Sequence, residues 1–117
     1  MKKKLLLLIF LLIFHCQSAY AEIWKVTAYC ACTKCCGKYS DGQFASGRLV
    51  YYGGVACNWL KFGTSLLIGG KVYTVEDRGA KSLFGSKTNH IKHVDIYMPK
   101  HEDALKFGVK WLNVDIL

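Results

Sequence analysis

The chain is poor in proline, with Pro99 alone among 117 residues, and it carries no internal repeat and no low-complexity tract. It therefore reads as one domain. There is no second C-x-x-C and no H-x-x-x-H to complete a standard zinc-finger pattern. There is no dense Lys/Arg stripe of the kind that lines a nucleic-acid groove, so nucleic acid is not an expected partner. Nor is there a long apolar run. The longest, Leu5 to Phe14, is ten residues, well short of the ~20 that a membrane-spanning helix needs.

What is present at the N-terminus has an address. Lys2, Lys3 and Lys4 precede the apolar run, a polar stretch from His15 to Ser18 follows it, and Ala19-Tyr20-Ala21 supplies the small-x-small pattern of signal peptidase. The sequence predicts a signal peptide over residues 1–21, cleavage after Ala21, and an exported domain over 22–117, periplasmic or extracellular. An uncleaved N-terminal anchor is the alternative. Lipoprotein processing at Cys16 is disfavoured because Ile13-Phe14-His15 lacks the small residues it requires. The mean hydropathy of +0.17 is raised by this leader. The formal charge of +8 falls to +5 over residues 22–117, which hold thirteen basic and eight acidic side chains. A mildly basic exported domain suits an anionic surface such as a cell wall or membrane face. A domain this small is near the size at which one core needs a staple.

Glycine punctuates the chain and short apolar runs lie between the breaks, the pattern of an all-β barrel or sandwich. Strands are predicted at Ile23–Tyr29, Gly54–Asn58, Leu66–Ile68, Lys71–Glu76, Ile91–Met98 and Val109–Leu117. Gly69-Gly70 makes a two-residue hairpin of the third and fourth. His101–Phe107 is the one predicted helix, stopped by Gly108. Cys30–Gly47 reads as an irregular cysteine-rich loop.

That loop holds Cys30, Cys32, Cys35 and Cys36, with Cys57 apart. In an exported domain disulfides are the first reading, although adjacent Cys35 and Cys36 cannot easily bridge each other. Cys32-x-x-Cys35 also has zinc-knuckle spacing, which Cys30 or Cys57 could complete. No neighbour in the sequence marks any of the five as a catalytic thiolate.

Two acids draw attention. Asp77 ends a strand before Arg78-Gly79, where it reads alternatively as a turn residue pairing with Arg78. Asp95 sits inside His93-Val94-Asp95-Ile96-Tyr97. A carboxyl facing a cleft there would be desolvated and held protonated near neutral pH, as a general acid must be. Simple alternation offers another reading, with His93, Asp95 and Tyr97 on the solvent face of an exposed strand. His90, His93 and His101 fit no standard metal spacing and read as polar surface or cleft lining.

The motifs Thr27-Ala28-Tyr29, Ala45-Ser46-Gly47, Val55-Ala56-Cys57-Asn58, Phe62-Gly63-Thr64, Val75-Glu76-Asp77-Arg78-Gly79, His93-Val94-Asp95-Ile96-Tyr97 and Ala104 to Lys110 occur in that order. Together they resemble the three-aspartate (3D) domain family, and Cys30 to Gly37 resembles its cysteine-rich variant. The resemblance implies a mainly β fold, a six-stranded double-psi β-barrel with one short helix and a cysteine-rich N-terminal loop. It implies similarity to the catalytic barrel of membrane-bound lytic transglycosylase A and to stationary-phase muralytic enzymes. These cleave the β-1,4 bond between N-acetylmuramic acid and N-acetylglucosamine and leave a 1,6-anhydro-muramyl end. Asp95 matches the catalytic acid/base and Asp77 the acid that supports it. Asn58, Thr64, Arg78 and Gly79 fall at substrate-binding positions. The implied protein is a monomer without metal or other cofactor that acts on peptidoglycan glycan strands.

Two departures stand out. Asn58 replaces the family's first aspartate, keeping an acceptor and gaining a donor but losing charge. Lys81 to His90 adds a loop between the two acids. The alternative is a non-catalytic, expansin-like module that binds wall polysaccharide, with Tyr51, Tyr52, Trp59 or Trp111 stacking on sugars. A cysteine-rich structural or toxin-like domain is a third reading.

Overall fold

A computed structural model describes residues 22–117; the expected signal peptide lies outside them. Strands β1 (Ile23–Tyr29), β2 (Gly54–Ala56), β3 (Ser65–Ile68), β4 (Lys71–Asp77), β5 (His93–Tyr97) and β6 (Lys110–Ile116) close into a barrel in the order β1-β5-β2-β4-β3-β6. This is the mainly β, six-stranded barrel expected. Its two parallel contacts are β1 with β5 and β2 with β4, and the other four are antiparallel. Among the described residues, no helix is long and apolar enough to cross a membrane.

Period-2 alternation fills the interior. Trp24 and Val26 of β1, Val55 of β2, Leu66 of β3, Val75 of β4 and Val94 and Ile96 of β5 are fully buried there. Burying side chains of this size contributes ~1.5–3 kcal/mol each. The β3–β4 hairpin turns through Gly69-Gly70, with Ile68 opposite Lys71 and both glycines at positive φ, 57° and 78°. That geometry is why the turn takes glycine twice.

The predicted helix is present as α3 (His101–Phe107). Two single turns, α1 (Thr33–Cys36) and α2 (Lys81–Phe84), form where irregular loop was expected. In α1 the cause is the carbonyl of Cys32, which accepts the N–H groups of Cys35 and Cys36 at 3.2 and 2.9 Å. In α2 it is Phe84, which lies flat on the His93 ring, centroids 4.0 Å apart and 15° between planes. The Lys81–His90 segment is thus docked against the barrel. Gly85 bridges to His90, and the His90 ring stacks on Trp59 at 4.4 Å.

Candidate active site

The register of the barrel sets the two acids beside each other. Ala56 of β2 pairs with Asp77 on one side and with Asp95 on the other. Their Cα atoms are therefore about two strand spacings, roughly 10 Å, apart. Thr27 is the register partner of Asp95 on the opposite flank. Because Val26, Val94 and Ile96 fill the interior, Thr27, Tyr29, His93 and Asp95 fall on the outer face. That face is not open solvent, since His93 is only 4% exposed and Tyr97 is buried. The exposed-strand reading of Asp95 therefore fails at its neighbours.

The environment of Asp95 has the character of an acid site. Burial is the largest influence and raises its pKa to about 6. The charge of Asp77 adds to this, and the Thr27 hydrogen bond opposes it. Thr27 Oγ1 lies 2.9 Å from Asp95 Oδ1 and 2.8 Å from His93 Nε2. His93 Nδ1 lies 3.1 Å from the Leu83 carbonyl, which can only accept, so Nδ1 carries a proton. The hydroxyl has one hydrogen to place. If Thr27 donates to an ionised Asp95, its oxygen must accept from Nε2, which requires imidazolium. If Asp95 is protonated, it donates to Thr27 and Thr27 donates to Nε2 of a neutral ring. Either arrangement holds one proton between the carboxyl and the imidazole. Burial lowers the His93 pKa and raises that of Asp95, which favours the neutral pair.

Asp77 is held as an acceptor by three donors: Tyr29 Oη at 2.5 Å and the backbone N–H groups of Ala45 and Arg78, each at 2.9 Å. Burial and the bond to Asp77 push the Tyr29 phenol upward, so it stays a donor. Ala45 arrives on the segment Asp41–Val50, which is docked by Ser46 N–H on the Glu76 carbonyl and by Phe44 lying on Gly54. Arg78 does not pair with the Asp77 carboxylate. Its guanidinium donates to the carbonyls of Cys57 at 2.6 Å and Asp77 at 3.3 Å, and covers the Phe62 ring at 3.9 Å.

Asn58 is buried and spends its amide on the backbone. Nδ2 donates to the carbonyls of Gly79 and Gly85 at 2.9 and 2.8 Å, and Oδ1 accepts from Gly79 N–H at 2.8 Å. It clamps the turn after Asp77 to the Lys81–His90 segment. Asn58, Arg78 and Gly79 line a cavity of about 390 Å³ together with Lys81, Lys87 and Thr88. Thr64 lies elsewhere, its hydroxyl bound to the Lys61 carbonyl at 2.7 Å.

The aromatics do not gather into one platform. Trp59 packs on the core, stacks between Trp24 and His90, and donates to the Ile91 carbonyl at 3.1 Å. Tyr51 donates to buried Glu76 at 3.1 Å, and Tyr52 sits under Lys71. Trp111 is 66% exposed on β6.

All five described cysteines are free thiols, so the disulfides expected of the loop are not formed. Cys57 is fully buried in the barrel core and does not join the others. Cys36 turns aside, its Sγ donating to the Cys30 carbonyl at 3.2 Å. The group that does meet Cys30, Cys32 and Cys35 is His101, which the sequence reads as polar surface or cleft lining. Glu76 and the pair Thr27 and Tyr29 were likewise not assigned roles from sequence. The two β1 residues were visible only as part of a family motif.

The chain was compared with protein-family models and with curated proteins, and none matches.

Proposed function

We propose that the protein is a peptidoglycan lytic transglycosylase of the three-aspartate domain type, with Asp95 as its acid/base. The observation that carries this reading is the Asp95 carboxyl, raised to about 6 by burial and the Asp77 charge and hydrogen-bonded to Thr27. Such a group is protonated at mildly acidic pH and ionises close to neutrality, the range a general acid that later acts as base requires.

The reaction balances with that one carboxyl. Asp95 gives its proton to the glycosidic oxygen as the bond from C1 of N-acetylmuramic acid to that oxygen breaks. The carboxylate then takes the proton of the sugar's C6 hydroxyl as O6 bonds to C1. No water enters, so no second carboxylate is needed to activate one, unlike the two-carboxylate hydrolases. Asp77 supports the developing positive charge. His93 and Thr27 orient the acid. Under this reading the protein works outside the cytoplasm, alone and without a cofactor.

One observation favours a second reading, the expansin-like binding module. Asn58 stands where the family has its first acid, and every polar atom of its side chain is bound to backbone. Digestion of purified peptidoglycan followed by mass spectrometry separates the two. Anhydro-muropeptides support the transglycosylase. Muropeptides with added water replace it with a hydrolase. Folded protein that sediments with the wall and releases nothing replaces it with the binding module.

A further inference from the structure

Four side chains outside the acid site converge on one point. Cys30 directly follows β1 and is 2% exposed. Cys32 precedes α1 and Cys35 lies within it. His101 opens α3, 71 residues from Cys30. The Nδ1 of His101 lies 3.3, 3.3 and 3.4 Å from the sulfurs of Cys30, Cys32 and Cys35. Cys30 Sγ lies 2.9 Å from Cys32 Sγ and 3.3 Å from Cys35 Sγ, and all four donor atoms fall within 4.8 Å of one another.

No sulfur pair stands at the ~2.05 Å of a disulfide. The arrangement is instead a near-symmetric cluster of three sulfurs about one imidazole nitrogen. Donors at about 2.3 Å (sulfur) and 2.0 Å (nitrogen) from a tetrahedral zinc lie roughly 3.5–3.8 Å apart along the edges. The nitrogen–sulfur distances of 3.3, 3.3 and 3.4 Å match the nitrogen–sulfur edge closely, while the Cys30 sulfur, at 2.9 and 3.3 Å from those of Cys32 and Cys35, would move outward by roughly 0.5–0.9 Å to hold the ion. Three thiolates and one imidazole are a soft, four-donor set that selects zinc over the hard cations. Four protein ligands leave no open position, the mark of a structural rather than a catalytic site.

We infer that Cys30, Cys32, Cys35 and His101 Nδ1 bind one structural zinc ion. The ion ties the cysteine loop to the start of α3, just beyond the point where β1 and β5 pair at Tyr29 and Tyr97. It also fixes Tyr29, the residue before Cys30, against Asp77. This is the staple that a domain of this size calls for. The inference does not rest on the proposed activity.

The test is metal content of the protein purified under reducing conditions with zinc, read by elemental analysis beside cobalt substitution. One zinc per chain, and a cobalt form with the absorption of a tetrahedral thiolate site, are expected. Cys36→Ser should keep one ion. Cys32→Ser and His101→Ala should each drop well below one, and His101→Cys should regain it with a cobalt spectrum shifted towards four sulfurs. Chelation should lower the melting temperature of the wild type and leave that of His101→Ala unmoved. Folded wild type that takes up neither zinc nor cobalt overturns the inference. So does a mass two hydrogens lighter from a disulfide among Cys30, Cys32 and Cys35 that forms equally well with zinc present.

Discussion

Asp95 and His93 meet at a single atom, the Thr27 hydroxyl oxygen, 2.9 Å from the carboxyl and 2.8 Å from the imidazole. The bond from Thr27 lowers the Asp95 pKa against the larger upward effect of burial. Thr27→Val removes that bond, so the pKa should move above 6 in a carbon-detected NMR titration of the Asp95 carboxyl. The same substitution leaves His93 Nε2 without a partner in a buried setting, a loss of ~1–3 kcal/mol in denaturant unfolding. An unchanged titration would mean that Thr27 does not touch the acid in solution.

Asp95 opposes folding when it ionises. Its folded pKa of about 6 lies above the ordinary 3.8, so the unfolded chain releases the proton first. The penalty is absent below pH 3.8, grows as pH rises towards 6 and is complete above it. Its size is on the order of 2 kcal/mol after allowance for solvent. Asp95→Asn escapes it. The variant should melt several degrees above the wild type at pH 8, and the two should converge near pH 4. A gap of the same size at both pH values would remove burial of a charge as its cause.

Asn58 gives two N–H bonds to carbonyls and takes one from Gly79. An aspartate there keeps the acceptor and sets its second oxygen against the carbonyls of Gly79 and Gly85. Asn58→Asp should therefore cost about 2–3 kcal/mol in chemical denaturation and should not raise activity on wall material. A stable and more active variant would show that position 58 serves the site through charge and not as a backbone clamp.

Gly79 sits under the Phe84 ring, and a Cβ added there would lie 2.2 Å from it. Gly79→Ala should push Phe84 off the His93 ring at a cost of ~1–3 kcal/mol. Faster hydrogen exchange at Phe84 and Gly85, whose N–H groups bond to Ala80 and Lys81, would report it. Unchanged exchange would mean that Phe84 is not what holds the inserted segment.

The barrel was legible wherever one local rule decided the outcome. Alternation put Trp24, Val26, Val94 and Ile96 inside, and Gly69-Gly70 could make only a tight turn. Asp95 stood out because a carboxyl in an apolar strand is costly unless something sustains it, whereas Asp77 read from the residues alone as a turn acid, and the register that sets it two strands from Asp95 appears only in the barrel. Asn58 was not, since only the folded backbone shows which carbonyls its amide meets. The Lys81–His90 segment looked like plain insertion because its order depends on Phe84 finding His93 across the chain. The metal-ligand cluster was half visible. Cys32-x-x-Cys35 carries its own spacing, but His101 is 71 residues from Cys30, and no periodicity links a helix start to a distant loop. The sequence offered Cys30 or Cys57 to complete the pair; Cys30 joins it, and Cys57 is buried in the barrel core.

If a protonated Asp95 drives release of anhydro-muropeptides from peptidoglycan, the rate of that release follows the ionisation of its carboxyl. The rate should be level in mildly acid solution, bend near pH 6, and then fall about tenfold per pH unit as the carboxyl ionises. Asp95→Asn should release nothing at any pH. A rate that stays level through pH 8, or an Asp95→Asn variant that still forms the anhydro product, would contradict the account.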